Sequence, residues 1–177
     1  MKPLIIVESP SKAKTISKYL EGAYEVMSTI GHIKQLPRER LSVDIENDFA
    51  IEDEIIEDKK KRVNELKKIS KSAPEVIIAT DSDREGEAIA ADIASEIDKS
   101  KISRVQFTEI TKQGVQTGLE ERKGIDNDLV KAATTRRIVD RLFGYKISPV
   151  LWSTLQSNMN FVKVNLSAGR VQSAALK

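Results

Sequence analysis

Apolar positions along the first two thirds of the chain fall into short continuous runs that alternate with helical stripes. Leu4-Ile5-Ile6-Val7 is rich in β-branched residues and predicts a buried strand, ended by Glu8-Ser9-Pro10. Ser11 then reads as the N-cap of a helix to about Leu20, with Ala13, Ile16 and Leu20 on one face. Tyr24 to Ile30 predicts a second strand, closed by Gly31. Lys59 to Lys71 predicts a helix with Val63, Leu66 and Ile69 turned inward. Val76-Ile77-Ile78-Ala79 predicts a third strand, running into Asp81-Ser82-Asp83-Arg84-Glu85-Gly86-Glu87. An Ala-rich helix from about Gly86 to Asp98, a strand from Ser103 to Phe107 and a helix from Lys112 to Arg122 follow. Strands alternating with helices predict an α/β fold with a mainly parallel sheet flanked by helices.

Two stretches break this rhythm. Between Pro37 and Asp58 no clean period runs, and eight of the fifteen residues from Asp44 to Asp58 are acidic. This predicts a long surface loop or insertion with short strands. The adjoining Lys59-Lys60-Lys61-Arg62 run reads as a solvated helix face rather than a nucleic-acid contact. From Asn127 the pattern turns all-helical: Leu129 to Phe143 predicts a strongly basic helix, and Ser148-Pro149 permits a new helix start with Pro149 near N1. Ser157 to Ser167, with Asn158, Asn160 and Asn165, reads as loop. A helical pattern has only begun at Lys177, so the chain is expected to be a fragment.

Composition narrows the class. Of 177 residues, 40% are hydrophobic and 32% charged, with 8 Gly and 5 Pro, which excludes collagen-like and low-complexity chains. No apolar run approaches the roughly eighteen residues of a membrane span, and Glu8 interrupts the only signal-like segment. Absence of cysteine excludes disulfides and thiolate zinc sites and fits a cytoplasmic setting without a membrane. The net charge of +2 is unevenly spread. Residues 1–127 hold 21 basic and 25 acidic residues, a net of −4; residues 128–177 hold 8 and 2, a net of +6. The basic section is a candidate surface for a polyanion.

The chemistry concentrates where strands end. Glu8 closes one apolar run, and Asp81, Asp83 and Glu85 follow another. In an open parallel sheet the carboxyl ends of the strands line the ligand crevice. Carboxylates gathered there repel unless a cation joins them. With hard oxygen donors, no cysteine and one histidine, the expected cation is Mg²⁺. A surface acidic turn is the plain alternative. Neither phosphate-binding glycine motif, G-x-x-x-x-G-K-[ST] or G-x-G-x-x-G, occurs.

D-x-D-x-E after an apolar strand, with a glutamate ending an earlier strand, resembles the Toprim domain. Longer strings resemble the bacterial type IA DNA topoisomerase I family. These are Val7-Glu8-Ser9-Pro10-Ser11-Lys12-Ala13-Lys14-Thr15, Gly31-His32-Ile33, Phe107-Thr108-Glu109-Ile110-Thr111, Arg136 to Tyr145 and Leu166 to Ser173. The resemblance implies a Toprim domain over 1–125, and over 126–177 the truncated start of a helical DNA-binding domain. It implies Mg-dependent, ATP-independent relaxation of negatively supercoiled DNA, through a 5′-phosphotyrosine formed on a single-stranded segment. The parent enzyme is expected to act as a monomer.

The same resemblance assigns roles. Glu8 would move the proton at the departing and returning 3′-oxygen and also serve as a metal ligand. Asp81, Asp83 and Glu85 would hold Mg²⁺. Lys12 would stabilise the transition-state charge, with Arg84 and Glu85 in the catalytic set. His32 would contact DNA, although a lone histidine is more often structural. Arg137 and Arg141, four apart on one helix face, would clamp phosphates, with Asp140 orienting one of them. Ile138, Lys146 and Ser153 would line the DNA path, as would the strip Ser167, Ala168, Gly169, Arg170, Val171 and Gln172. Trp152 reads as core. The sequence departs from the family pattern in one respect: its tyrosines, Tyr19, Tyr24 and Tyr145, do not stand in the nucleophile's context. The chain is therefore expected to be inactive alone. A stand-alone Toprim nuclease and a non-catalytic DNA-binding module remain the alternatives.

Overall fold

The structure is a computed structural model that describes residues 1–156 and 167–175, without the side chains of 155 and 156. The chain divides into two compact units. One comprises Met1–Gln35 and Glu54–Ala133, the other Leu36–Asp53 and Thr134–Lys177.

The first unit is built on a four-stranded parallel sheet. Its strands are β1 (Leu4–Val7), β2 (Glu25–Ser28), β7 (Val76–Ile78) and β8 (Ile102–Arg104), in the order β2-β1-β7-β8. Helices α1 (Pro10–Tyr19), α2 (Lys60–Ser72), α3 (Arg84–Glu96) and α4 (Lys112–Glu120) connect or flank them. Because a strand alternates its side chains, β1 and β7 are apolar on both faces. Leu4, Ile6, Val76 and Ile78 join Val63, Leu66, Ile89 and Ile93 in one cluster. Ile5, Val7 and Ile77 join Ile16, Val105 and Val115 in the other. A strand buried on both sides must read as a continuous apolar run, as Leu4–Val7 does. Burying each such side chain contributes about 1.5–3 kcal/mol.

The acidic stretch expected to be a loop with short strands holds one antiparallel pair and, at its end, a strand that pairs with one just before it. β3 (Lys34–Gln35) pairs antiparallel with β6 (Glu54–Ile55) in the first unit. In the second unit, β4 (Val43–Asp44) pairs with β5 (Ala50–Ile51). That unit also holds most of the basic helix α5 (Asn127–Leu142), a π-helical stretch Phe143–Ile147, α6 (Ser148–Leu151), a second π-helical stretch Trp152–Gln156 and α7 (Arg170–Ala175). The acidic stretch supports α5 directly: Arg137 Nη2 lies 2.6 Å from Asp53 Oδ1, and Arg141 donates to the Leu36 carbonyl at 2.9 Å.

Several sequence expectations shift. The N-cap of α1 is Ser9, not Ser11; its side chain accepts from the Lys12 amide, and Pro10 takes the first helical position, where its missing N–H costs nothing. α3 starts at Arg84, because the Asp83 carboxylate caps it. The fourth strand is short, Ile102–Arg104. α6 does start at Ser148 with Pro149 in its first turn, directly after the π-helical stretch that follows α5. Trp152 is 45% exposed rather than core, in a helical turn where Val150, Ser153 and Thr154 are exposed as well. The loop expected over the asparagines 158, 160 and 165 lies outside the described residues.

Candidate functional site

Parallel pairing sets the site. β1 and β7 are neighbours with Ile6 opposite Ile78, so Glu8 and Asp81 leave the sheet at the same edge. Ser9 and Pro10 start α1 directly after Glu8, which puts Lys12 one helical turn on, facing back. The Lys12 ammonium bonds both Glu8 Oε1 and Asp81 Oδ1. Burial works against charge on Lys12, but the hydrogen bonds it donates to Asp81 and Glu8 and their fields outweigh it, and its pKa is raised. Burial likewise opposes charge on Asp81. Hydrogen bonds with Lys12 and with Glu8, and the fields of Lys12 and Arg104, hold its carboxyl below the usual aspartate value.

The other acids are placed differently. Asp83 Oδ1 accepts the Gly86 amide at 2.7 Å as the α3 cap. Glu85 and Arg84 are exposed in the first turn of α3, and Glu85 Oε2 lies 3.3 Å from His32 Nε2. Across the ring, His32 Nδ1 stands 3.9 Å from Asp92 Oδ2. The loop bearing Asp81 and Asp83 is tight. Thr80 donates to the Gly86 carbonyl at 2.7 Å, and a Cβ at Gly86 would collide with the Asp81 carbonyl. Only glycine fits there.

Sequence reasoning missed the residues beneath this loop. Arg104 of β8 is wholly buried, and its Nη2 donates to the Asp81 carbonyl at 2.8 Å. Its guanidinium also meets Glu87 Oε1, at 2.9 Å from Nε and 2.7 Å from Nη2. Glu87 completes its bonding with the Gln106 side chain and the Asp126 amide. The available signal was a lone arginine inside an otherwise strand-like run and a second glutamate in Glu85-Gly86-Glu87.

The donor set suits a hard divalent cation. Glu8 Oε2 is buried with no hydrogen-bond partner, and Mg²⁺ typically takes one or two carboxylates and keeps its waters. Among the described residues no group of three or more acids and histidines is gathered closely enough to hold a metal. Glu8 and Asp81 converge, with Lys12 as their present counter-charge, while Asp83 and Glu85 are engaged elsewhere.

Several of the residues expected on a DNA path in the second unit have protein partners. Arg137 takes Asp53, and Arg141 takes the Leu36 carbonyl and lies 5.4 Å from the centre of the Tyr145 ring. Asp140 orients neither; it holds Arg170 in a fork, Nε to Oδ1 at 2.6 Å and Nη2 to Oδ2 at 3.0 Å. Arg136 lies at 3.9 Å. Ile138 is half-buried, Lys146 and Ser153 are exposed, and Val171 is 74% exposed. The Ser148 hydroxyl accepts the Ala168 amide at 3.0 Å, Gly169 accepts the Ser173 amide, and Gln172 reaches Ser167 at 3.3 Å. Of the tyrosines, Tyr19 ends α1 and so lies a whole helix from Glu8, Tyr24 precedes β2, and Tyr145 donates to the Arg38 carbonyl at 2.8 Å.

The Toprim domain family model matches residues 3–110, and the DNA topoisomerase family model matches residues 124–177. The structure of full-length topoisomerase I from Thermotoga maritima is 45% identical over 98% of this chain, with a TM-score of 0.84. The chain is an N-terminal portion of a bacterial type IA DNA topoisomerase. It spans 29% of the length of the Thermotoga enzyme. In this topoisomerase portion the Toprim match covers the acidic edge, and the second match takes in all of α5 and the chain beyond it. No helix among the described residues is long and apolar enough to cross a membrane.

Proposed function

We propose that the chain supplies the acid–base half of a type IA cleavage and religation site, Mg-dependent and ATP-independent, acting on a single-stranded segment of negatively supercoiled DNA. The observation that carries this reading is the convergence of Glu8, Lys12 and Asp81 at one edge of β1 and β7. Glu8 transfers the proton at the 3′-oxygen, and Lys12 offers a positive charge to the phosphoryl oxygens. Arg104 keeps the Asp81 loop in register from below. Glu8 and Asp81 would hold Mg²⁺, with Asp83 and Glu85 on the acidic rim around it. Bound there, the metal would offset the charge that builds on the phosphate during strand exchange. Arg84 and His32 face the DNA at this edge, and Arg137, Arg141 and the 167–172 strip contact its backbone.

On this reading residues 1–125 act as the Toprim domain and 126–177 begin the helical DNA-binding domain of a monomeric, cytoplasmic enzyme. The nucleophilic tyrosine is not among Tyr19, Tyr24 and Tyr145, so the chain alone leaves plasmid intact. Negatively supercoiled plasmid incubated with the chain and Mg²⁺, then run on denaturing gels with and without protease, tests this. Unchanged plasmid is expected. Nicks with free ends would replace the reading with a Toprim hydrolase, and protein-linked ends would make one of the three tyrosines a nucleophile. Calorimetric titration should detect Mg²⁺ binding that Asp81→Asn weakens; no binding would remove the metal from the proposal.

A further inference from the structure

The loop that carries His32 is strained, and two cations hold it, Lys59 just before α2 and Arg62 in its first turn. Ile30 has φ +60° and Gly31 has φ +83°. The left-handed region is open to glycine but unfavourable for a β-branched residue, and Ile30 is also 55% exposed, so no burial of its side chain compensates. What fixes the backbone is hydrogen bonding. The Gly31 amide donates to the Glu8 carbonyl at 2.8 Å, and the Thr29 amide to the Val7 carbonyl at 3.0 Å. On the other side, Lys59 Nζ donates to the Ile30 carbonyl at 2.7 Å, and Arg62 Nε to the Ser28 carbonyl at 2.7 Å. Half of the basic run at the start of α2 is thus spent on backbone carbonyls flanking one turn, not on solvent. Charge-assisted bonds of this kind are stronger than neutral ones.

We propose that Lys59, seconded by Arg62, is a positioning residue for His32. By locking the Ile30 carbonyl it holds the left-handed turn that aims the imidazole between Glu85 and Asp92, ready to meet a DNA phosphate at the acidic edge. This rests on the proposed role of His32 as a DNA contact, and the experiment separates the two.

The chain has a single histidine, so its imidazole nitrogens give one assignable pair of NMR resonances. In the full 177-residue chain, Lys59→Met is expected to move those resonances while the amide spectrum of β1 and β7 stays in place. It is expected to weaken binding of a fluorescent single-stranded oligonucleotide several-fold, and Lys59→Arg to restore both. Ile30→Gly supplies a residue that adopts φ near +60° without strain, so Lys59→Met in that background should shift the ring far less. Unmoved ring resonances in Lys59→Met overturn the proposal, as do equal shifts with and without Ile30→Gly. Should Lys59→Met collapse the dispersion of the amide spectrum, Lys59→Gln, which keeps a donor, takes its place; its ring shift is expected to shrink in the Ile30→Gly background, and equal shifts in both backgrounds overturn the proposal. Ring resonances that move while oligonucleotide affinity holds uphold the positioning and remove His32 from the DNA surface.

Discussion

Each unit of the molecule contains an arginine joined to a carboxylate, and the two pairs stand in opposite surroundings. Arg104 and Glu87 in the sheet unit have side chains with 0% exposure. Arg170 and Asp140 in the helical unit are 36% and 48% exposed. The buried pair cannot be separated without leaving a charge stranded in an apolar setting. Its remaining hydrogen-bonding capacity is therefore taken up by the Ile78, Val105 and Asp81 carbonyls, the Gln106 side chain and the Asp126 amide. The exposed pair is screened by water and salt, and an anion can compete for its arginine. The same chemistry thus serves as a fixed anchor beneath one site and as a releasable contact on the other surface. The apolar residues follow the same division. Exposed large hydrophobics in the helical unit include Phe49, Ile147, Val150, Trp152 and Val171, whereas in the sheet unit they are Met1 and Ile30.

The most forceful way to break this comparison is to remove one buried partner. Glu87→Ala should destabilise the chain by about 3–5 kcal/mol, read as a shift in the urea midpoint with unchanged slope. A change no larger than that of a surface substitution would mean that Arg104 finds water, and the two pairs would then be alike. A second contrast uses packing. Ile77→Ala, at 0% exposure, should cost about 2–5 kcal/mol, whereas Val150→Ala, at 58% exposure, should cost about 0.5 kcal/mol or less. Equal losses in thermal melts would show that Val150 is covered in solution. The smallest effect on stability belongs to Asp140→Asn. Releasing Arg170 should leave the melting temperature in place, tighten single-stranded oligonucleotide binding and steepen its salt dependence by about one ion. Weaker binding would make the fork with Asp140 the arrangement that binds DNA.

The sheet was legible because its determinants are local and redundant. Leu4–Val7 and Val76–Ile78 are apolar at every position, and only a doubly covered strand tolerates that. Glu8 and Asp81 were legible as a pair because strand ends in a parallel sheet share an edge. What escaped depends on partners distant in sequence. Nothing beside Arg104 in the chain marks it as buried; its partner Glu87 lies seventeen residues earlier. Lys59 and Arg62 looked like a solvated face because nothing local marks Ile30 and Ser28 as carbonyls in need of donors. Asp140 sits within reach of several arginines on its own helix, and spacing could not foretell that it would turn to Arg170. Trp152 was read inward as a large aromatic, and the fold leaves it 45% exposed.

The outer margin of β8 is also closed. The Arg104 amide donates to the Lys123 carbonyl at 3.0 Å, and the Lys123 amide returns the bond at 2.9 Å. One margin of the sheet is therefore capped by a two-bond bridge. At the other margin, β2 ends under the long cationic side chains of Lys59 and Arg62. Unpaired strand margins are templates for the strands of other chains, and a parallel sheet of only four strands has little else to blunt them. By occupying both the amide and the carbonyl of Arg104, the bridge leaves the β8 margin less able to recruit a strand from another chain.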